Sequence, residues 1–370
     1  MAPVRRSRVL IVDDSAIVRT MLSNALKAEP DMEVVGLAAD PFAARDLILA
    51  HKPDIITLDI EMPRMDGLTF LRQLMAQRPL PVVIVSSVTQ TGSAASIDAL
   101  AAGAIDVIAK PGGPYSVADV ADQLKYRIRA LRSGRAVHFS RLRRQQSASP
   151  APQSLARANG VILIGASTGG TQAIEGLLTS LPADAPPILI VQHMPAYFTR
   201  AFAARLDRAC PMRVVEASDN QPLTRGVAYI APGDSHLLIT SRAGELRTAV
   251  QGGDRVHYQR PSVDVLFQSA AAIRTVPIVA LLLTGMGSDG ADGMVALREA
   301  GAVTIAEDER SCVVFGMPAA AIAKGGAMHV VARGAMPRLI AESFSSPRPR
   351  RPAVQTADRI RPAFRLQSGS

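Results

Sequence analysis

An apolar run that ends in a serine among glycines constrains the fold of this chain more than any other stretch. Residues 161–164 are four consecutive branched side chains, and Gly165-Ala166-Ser167-Thr168-Gly169-Gly170 follows them. Apolar residues then recur at positions 174, 177, 178 and 181, which is the spacing of the inward face of a helix. The stretch therefore predicts a strand buried on both faces, a tight turn that carries Ser167, and an amphipathic helix.

Three interpretations of this turn stay open on the motif alone. Its Gly-x-Ser-x-Gly spacing fits a nucleophile elbow, in which small neighbours allow a sharp turn and expose the serine hydroxyl above the sheet. A dinucleotide-binding loop is weakened, because Ser167 replaces the middle glycine and the next strand, 188–191, ends in Gln192-His193 rather than in a ribose-binding carboxylate. The third interpretation is an ordinary tight turn.

The first 130 residues alternate between strand and helix patterns. Strands are predicted near 8–12, 33–38, 54–59, 82–85 and 105–109, and helical segments separate them. Five such units predict an α/β domain with a doubly wound parallel sheet, in which ligands bind at the carboxyl ends of the strands.

The predicted carboxyl ends of these strands carry acidic, hydroxyl and basic side chains. Asp13 and Asp14 follow the first strand, Asp59 the third, Ser86 the fourth and Lys110 the fifth. Three carboxylates at one edge repel one another unless a cation neutralises them, and Mg²⁺ prefers oxygen ligands of this kind. The sequence predicts a Mg²⁺ site at the three aspartates, with Ser86 and Lys110 contacting phosphoryl oxygens. The alternative is that the acids merely face solvent.

A second set of strand ends carries a serine, a histidine and an aspartate. His193 follows the predicted strand 188–191, and it reaches the same edge as Ser167 if the two strands are neighbours. A histidine is the natural general base for a serine hydroxyl, and His236 and His257 are the next candidates. A carboxylate that orients the base is expected after another parallel strand, and Asp289 follows the predicted strand 278–283.

The glycine-rich loop 284–290 has its own predicted role. The glycines around Met286 let backbone N–H groups turn toward an oxyanion. Loops of this kind also bind phosphate, and Asp289 or Asp292 are alternative metal ligands. Along the chain these residues occur in the order serine, histidine, aspartate, whereas α/β-hydrolases have the order serine, aspartate, histidine. The domain is therefore not expected to be a standard α/β-hydrolase.

The positive charge of the chain lies outside the regions predicted to fold. The net charge is +9, yet residues 1–130 hold 14 basic and 15 acidic side chains, and residues 160–343 hold 15 and 16. Six arginines lie in 131–159 and six in 344–370, stretches rich in Ser, Pro, Ala and Gln that are predicted to be disordered. They are interpreted as solubilising chain or as docking segments for an acidic partner.

Two other classes of function fit the chain less well. A DNA-binding output domain needs a basic recognition helix or stripe, which the near-neutral second half lacks. A phosphorylation-regulated scaffold with an inactive esterase fold is disfavoured by the joint presence of Ser167, His193 and Asp289. Two cysteines are too few for a disulfide framework, and no apolar run has the length of a membrane span, so a cytoplasmic protein is expected.

The motifs of the first domain form a known set. Asp13-Asp14, the segment 59–67, Ser86 and Lys110-Pro111 resemble the receiver domain of two-component response regulators. The resemblance implies that Asp59 accepts a phosphoryl group, that Asp13 and Asp14 complete the Mg²⁺ pocket, that Ser86 is the switch hydroxyl and that Lys110 contacts the phosphate. It also implies a chemotaxis histidine kinase as partner once the second domain is considered.

Six motifs of the second domain also occur together, namely 165–170, 192–195, 231–234, 260–267, 284–290 and 311–318. They resemble the chemotaxis protein-glutamate methylesterases of the CheB family. The resemblance implies hydrolysis of γ-glutamyl methyl esters on chemoreceptor helices, often with deamidation of receptor glutamines. It makes Ser167, His193 and Asp289 the triad and assigns the oxyanion contacts to Met286 and Thr168. No cofactor is implied for the ester chemistry.

The predicted organisation joins two α/β domains with doubly wound parallel sheets. A flavodoxin-like receiver occupies 1–130, a basic flexible linker 131–157, a Rossmann-like methylesterase domain 158–343 and a basic disordered tail 344–370. The expected partners are methylated cytoplasmic helices of chemoreceptors and the kinase, without nucleic acid binding or membrane insertion. In the family that the chain resembles, the unphosphorylated receiver covers the entrance to the active site.

Overall fold

The computed structural model describes residues 5–87, 89–111, 116–133 and 155–345. These residues form two α/β domains, each built on a parallel sheet, so the predicted fold class is confirmed. Most of the predicted linker and nearly all of the predicted tail lie outside the described residues. The predicted boundaries of the two domains stay predictions.

Within the described residues, the first domain alternates five strands and five helices. The strands are β1 (Ser7–Val12), β2 (Met32–Ala38), β3 (Ile55–Leu58), β4 (Val82–Ser86) and β5 (Asp106–Ala109), and the helices are α1 (Ala16–Lys27), α2 (Pro41–His51), α3 (Gly67–Gln77), α4 (Gln90–Ala102) and α5 (Val117–Ser133). The strands pair in parallel in the order β2-β1-β3-β4-β5. This is the order of the flavodoxin-like fold, and it brings the ends of β1 and β3 side by side.

The second domain has a larger parallel sheet of seven strands. Its strands are β6 (Val161–Ala166), β7 (Ile188–Gln192), β8 (Arg213–Glu216), β9 (Val227–Ile230), β12 (Ile278–Leu282), β13 (Val303–Glu307) and β14 (His329–Val331), and its helices are α6 (Gly170–Leu178), α7 (Ala196–Ala209), α8 (Val263–Ala271), α9 (Ala291–Glu299), α10 (Met317–Ala323) and α11 (Met336–Ser345). The order is β14-β13-β12-β6-β7-β9-β8. Every residue of β6 is buried, as expected for a central strand with helices on both faces.

The chain reverses direction across this sheet beside β6. It runs from β6 outward through β7 and β9, and it later returns to place β12 on the other side of β6. In open α/β sheets the crevice at such a reversal, outside the carboxyl ends of the strands, is the usual ligand site. The segments that follow β6, β7 and β12 therefore meet at one place.

An antiparallel hairpin interrupts the alternation of the second domain. Strands β10 (His236–Arg242) and β11 (Glu245–Gln251) pair with each other and not with the parallel sheet. The buried residues of β10 pack against α8. The sequence analysis did not predict this hairpin, because its residues mix polar and apolar side chains without a long apolar run.

Candidate active site and phosphoacceptor site

Ser167 lies on the turn between β6 and α6, as the sequence predicts. Its backbone N–H donates to Thr284 O (3.0 Å), and its carbonyl accepts from Gly170 N–H (2.7 Å) and from Gln192 Nε2 (2.9 Å). Gly169 has φ 77°, in the left-handed region where a side chain is strained, and a Cβ there would lie 2.5 Å from Val313. The turn is thus held through the backbone groups of Ser167, and the Ser167 hydroxyl lies outside this hydrogen-bond network.

His193 and Asp289 form a buried pair beside this turn. His193 follows β7 and Asp289 follows β12, and their side chains are 4% and 2% exposed. His193 Nε2 lies 2.8 Å from Asp289 Oδ2, whereas Nδ1 has no hydrogen-bond partner among the described residues. With Nε2 carrying the proton that faces the carboxylate, Nδ1 is the ring nitrogen that remains available as a base.

The Asp289 carboxylate is surrounded by donors at the start of α8. Oδ1 accepts from Ser262 Oγ (2.8 Å) and Asp264 N–H (3.0 Å), and Oδ2 accepts from Val263 N–H (2.8 Å) in addition to His193. Burial by itself raises the pKa of Asp289, but the hydrogen bond and charge of His193 and these backbone donors outweigh burial and hold the pKa below its usual value. Asp289 is therefore fixed as an anion that can stabilise a protonated His193.

Two residues that the sequence analysis did not assign to the triad hold Asp289 in place. Ser262 caps α8, accepting from Val265 N–H (3.4 Å) while its hydroxyl donates to Asp289. His236 Nδ1 accepts from Ser262 N–H (3.2 Å), and its Nε2 lies 2.9 Å from Asp254 O. His236, an alternative base in the sequence analysis, thus contacts the backbone that positions Asp289.

Replacing Ser262 by alanine should weaken this support. The change removes one donor from Asp289 Oδ1 and one helix cap, and a lost cap costs about 1 kcal/mol of unfolding free energy. We expect kcat for ester hydrolysis to fall about tenfold, which corresponds to about 1.4 kcal/mol of activation free energy. The rate is measured by methanol release, and the melting temperature by circular dichroism.

Ser269→Ala is the matched control for this variant. Ser269 lies on the same helix, and its hydroxyl accepts from Ile239 N–H (3.1 Å) and donates to Leu266 O (2.7 Å) without contacting Asp289. It should lower the melting temperature and retain kcat. Equal losses of kcat in both variants would mean that Ser262 acts only through the stability of the helix.

The two predicted oxyanion residues flank the serine. Thr168 follows it directly, and the loop that carries Met286 packs against it, since a Cβ on Gly285 would lie 2.7 Å from the Ser167 Cβ. Among the described residues, neither Thr168 N–H nor Met286 N–H donates a hydrogen bond. Both donors are therefore free, and their role in holding an oxyanion stays a prediction.

Asp289 and Asp292, the alternative metal ligands of loop 284–290, already have other partners. Asp292 is half-exposed and forms an ion pair with Lys324 (2.6 Å). His257, Asp264 and Asp289 each place one atom within 4.8 Å of the others, but Asp289 already accepts four hydrogen bonds. Since two carboxylate oxygens accept about four hydrogen bonds, Asp289 has no lone pair left for a metal ion.

The predicted phosphoacceptor residues converge at the carboxyl edge of the first sheet. Lys110 Nζ lies 2.7 Å from Asp59 Oδ2 and 3.0 Å from Asp13 Oδ2, and both aspartates are buried. Burial raises the pKa of Asp59 to about 6, although the Lys110 hydrogen bond opposes it. The Ser86 hydroxyl, at the end of β4, is buried without a hydrogen-bond partner in the described part of the chain.

The donor set at this edge fits a magnesium ion. Asp13, Asp14 and Asp59 each place one oxygen within 4.8 Å of the others, with Asp14 exposed and the other two buried. Hard oxygen ligands with one side open to water are what Mg²⁺ requires. A bound cation would also offset the burial that raises the pKa of Asp13 and Asp59.

The first domain contacts the serine turn directly. Thr168 Oγ1 donates to Asp106 Oδ2 (3.2 Å), and Gly169 N–H donates to Ile105 O (3.2 Å). Asp106 also accepts from Arg127 Nε (2.9 Å), which orients its carboxylate. Further along, Tyr126 of α5 reaches loop 284–290, since its hydroxyl would lie 2.9 Å from a Cβ on Gly287.

Comparisons with known proteins agree with this two-site architecture. The CheB methylesterase family model matches residues 162–340, and the response regulator receiver domain model matches residues 9–121. The chain is 50% identical over 326 residues to protein-glutamate methylesterase/protein-glutamine glutaminase 2 of Syntrophus aciditrophicus, covering 88% of this chain and 95% of that protein. The chain belongs to the CheB methylesterase family.

Two further matches come from other bacteria. Protein-glutamate methylesterase/protein-glutamine glutaminase 1 of Cupriavidus metallidurans is 48% identical over 332 residues, covering 88% of this chain and 92% of that protein. The solved methylesterase catalytic domain of Thermotoga maritima CheB is 38% identical, with a TM-score of 0.48, covering 50% of this chain and 97% of that one. Within the described part of this CheB-family chain, no helix combines the length and apolar character needed to cross a membrane.

Proposed function

We propose that the chain is a phosphorylation-activated protein-glutamate methylesterase that converts glutamate γ-methyl esters on chemoreceptors to glutamate and methanol. The observation that carries the proposal is the buried His193–Asp289 pair, 2.8 Å apart, at the sheet edge where Ser167 lies. The relatives named above are both called methylesterases and glutaminases. Deamidation of receptor glutamines is the second proposed activity, because the same acyl transfer then releases ammonia instead of methanol.

The ester reaction begins with proton transfer from Ser167 to His193 Nδ1. The serine oxygen attacks the ester carbonyl, and the imidazolium that forms is stabilised by the Asp289 anion. Negative charge that develops on the carbonyl oxygen is accepted by the free N–H groups of Thr168 and Met286. Collapse of the tetrahedral intermediate expels methanol, which takes the proton from His193.

The second half of the reaction regenerates the serine. His193 removes a proton from water, the hydroxide attacks the acyl-enzyme, and Ser167 leaves with that proton returned. The product is a receptor glutamate. The buried surroundings of His193 and Asp289 strengthen their electrostatic interaction relative to water.

The first domain is proposed to control this reaction through a phosphoryl group on Asp59. Mg²⁺ bound at Asp13, Asp14 and Asp59 would supply charge neutralisation for the incoming phosphoryl oxygens. Lys110 and the unpartnered Ser86 hydroxyl then contact those oxygens. We propose a chemotaxis histidine kinase as the donor and the cytoplasmic face of the receptor as the place of action.

Methanol release from a methylated receptor fragment tests the proposal. The full chain should release methanol, and acetyl phosphate with Mg²⁺ should raise the rate. If methanol never formed, and the fragment kept its methyl groups by mass spectrometry, the methylesterase assignment would be wrong.

The contacts between the domains predict how phosphorylation acts. Gln172 on α6 donates from Nε2 to Leu100 O (2.8 Å) and Ala104 O (3.1 Å) of the first domain. Each such bond is worth about 1 kcal/mol, and about 1.4 kcal/mol is a tenfold change in an equilibrium. Gln172→Ala should therefore raise the unphosphorylated methylesterase rate about tenfold and shrink the activation by phosphodonor.

Gln268→Ala provides the control, since Gln268 is exposed on α8. It should keep both the unphosphorylated rate and the activation ratio. A Gln172→Ala protein that lost unphosphorylated activity would show that the first domain activates the site by contact rather than covering it.

A further inference from the structure

A buried carboxylate outside the triad lies at the same edge of the second sheet. Glu307 is the last residue of β13, and its side chain is 0% exposed. Its Oε1 accepts from Arg333 Nε (3.0 Å) and Nη2 (2.8 Å), so the charge of the carboxylate is paired. Its Oε2 accepts from the backbone N–H of Thr284 (2.8 Å). Glu307 therefore joins an ion pair to the first residue of the loop that carries Met286.

The ion pair is better suited to orienting the loop than to stabilising the fold. A buried ion pair adds little stability, because the cost of removing both charges from water offsets their attraction. A carboxylate does supply hydrogen bonds about twice as strong as those between neutral groups. Arg333 is itself fixed, since its Nη2 also donates to Ser311 O (2.6 Å). Glu307 is thus held on one side by Arg333 and holds Thr284 N–H on the other.

Thr284 contacts both parts of the proposed oxyanion site. It is fully buried, and its carbonyl accepts from Ser167 N–H (3.0 Å). Its hydroxyl donates to Thr168 O (3.0 Å), the nearer of its two acceptors. Met286 follows two residues later in the same loop. The orientation of Thr284 therefore sets where the N–H groups of Thr168 and Met286 lie relative to the serine.

We propose that Glu307, held by Arg333, is a positioning residue for the oxyanion site of the ester reaction. This inference rests on the proposed methylesterase function. Within the described residues, the Glu307 carboxylate bonds Thr284 and Arg333 and none of the triad side chains. Without Oε2 the Thr284 peptide group is free to rotate, which misplaces the two oxyanion donors. These donors act when negative charge develops on the carbonyl oxygen, so the loss falls on kcat rather than on KM.

Two double variants test this role, and they differ in whether an acceptor faces Thr284 N–H. The first combines Glu307→Gln with Arg333→Met, which leaves no buried charge unpaired and lets the Gln oxygen accept from Thr284 N–H. The second combines Glu307→Met with Arg333→Met, which removes that acceptor as well. Both lack the Arg333 contact to Ser311, so this loss cancels in the comparison. We expect kcat of the second to be about tenfold lower than kcat of the first, equivalent to about 1.4 kcal/mol, with KM unchanged.

A pair of ester substrates reports the oxyanion donors separately from the stability of the fold. The full chain, with acetyl phosphate and Mg²⁺, is assayed on the γ-methyl ester of N-acetylglutamate N-methylamide and on its thionoester, in which sulfur replaces the carbonyl oxygen. Water cleaves both with release of methanol, but sulfur is a weak hydrogen-bond acceptor and gains little from the donors. The ratio of kcat for the oxygen ester to kcat for the thionoester should be about tenfold lower in the second double variant than in the first. Loss of folded protein lowers both rates equally and leaves the ratio unchanged.

Two single changes make the result specific. With Glu307→Gln alone, the charged Arg333 takes the Gln oxygen and Thr284 N–H faces the amide NH₂ group, so kcat and the oxygen-to-sulfur ratio should fall as in the second double variant. Glu245→Gln is the matched control, because Glu245 Oε2 also accepts from an arginine, through Arg247 Nε (2.9 Å) and Nη2 (2.6 Å), on the exposed hairpin. It should keep both kcat and the ratio.

The outcomes separate this inference from the function on which it rests. Double variants whose kcat values agree within twofold overturn the positioning role, and so does a fall in kcat at an unchanged oxygen-to-sulfur ratio, which would assign Glu307 to the stability of the fold alone. Circular dichroism checks that each variant folds, and the ratio of Glu307→Gln to the parent decides the question if a double variant does not. If the parent releases no methanol even from a methylated receptor fragment, the methylesterase function itself is wrong.

Discussion

Replacing Ser167 by alanine is expected to abolish methanol release and to leave the fold intact. The hydrogen bonds that hold the turn come from the backbone of Ser167, which alanine retains. Its hydroxyl makes no hydrogen bond among the described residues, so its loss costs little stability. If the serine, His193 and Asp289 act as a unit, the loss in kcat is about 10⁶-fold. Methanol release and the melting temperature are measured together.

Ser180→Ala is the control for this change. Ser180 lies just beyond α6, and its hydroxyl donates to Gly176 O (2.8 Å) on the exposed side of the helix. It should retain the parent's rate. A Ser167→Ala protein that still released methanol near the parent's rate would rule out the serine as nucleophile.

The meeting place of the three proposed catalytic residues was predictable because each follows a buried parallel strand. Apolar runs before Ser167, His193 and Asp289 identify the strands, and the carboxyl ends of parallel strands share an edge. The sequence leaves open which strands are neighbours. The structure answers this by pairing β6 with both β7 and β12.

Local sequence patterns could not predict which residues hold the Asp289 side chain in place. Ser262 donates to Asp289 from 27 positions away along the chain, and His236 in turn accepts from the Ser262 backbone N–H. A serine before an apolar helix indicates a helix cap. It does not indicate that the serine hydroxyl also donates to a carboxylate far away in the sequence. Contacts of this kind depend on how helices pack on the sheet, which periodicity does not encode.

The contacts between the two domains were beyond sequence reasoning for the same reason. Asp106 lies within β5, and the sequence pattern around it indicates only a strand. Its carboxylate nevertheless accepts a hydrogen bond from the Thr168 hydroxyl in the other domain. The sequence also does not indicate which ring nitrogen of His193 faces Asp289. Both features depend on side-chain directions that follow from tertiary packing.

Replacing Asp59 by asparagine should abolish both phosphorylation and the activation that depends on it. The asparagine amide cannot attack the phosphoryl group as the Asp59 carboxylate does, and that carboxylate is available because burial raises the pKa of Asp59 only to about 6. Asparagine has nearly the same shape, and Lys110 keeps its partner Asp13 at 3.0 Å, so the first domain should fold. The unphosphorylated methylesterase rate should persist, because Ser167 lies in the other domain.

The experiment follows radiolabel from acetyl phosphate and methanol release on the same protein. Asp66→Asn is the matched control, because Asp66 lies in the same loop and caps α3 by accepting from Thr69 N–H (2.8 Å), a role that asparagine can fill. It should keep both labelling and activation. Undiminished labelling of the Asp59→Asn protein would place the acceptor on another residue, since an amide cannot form the acyl phosphate. Lost labelling with retained activation would instead show that the phosphodonor stimulates the esterase without modifying this edge of the sheet.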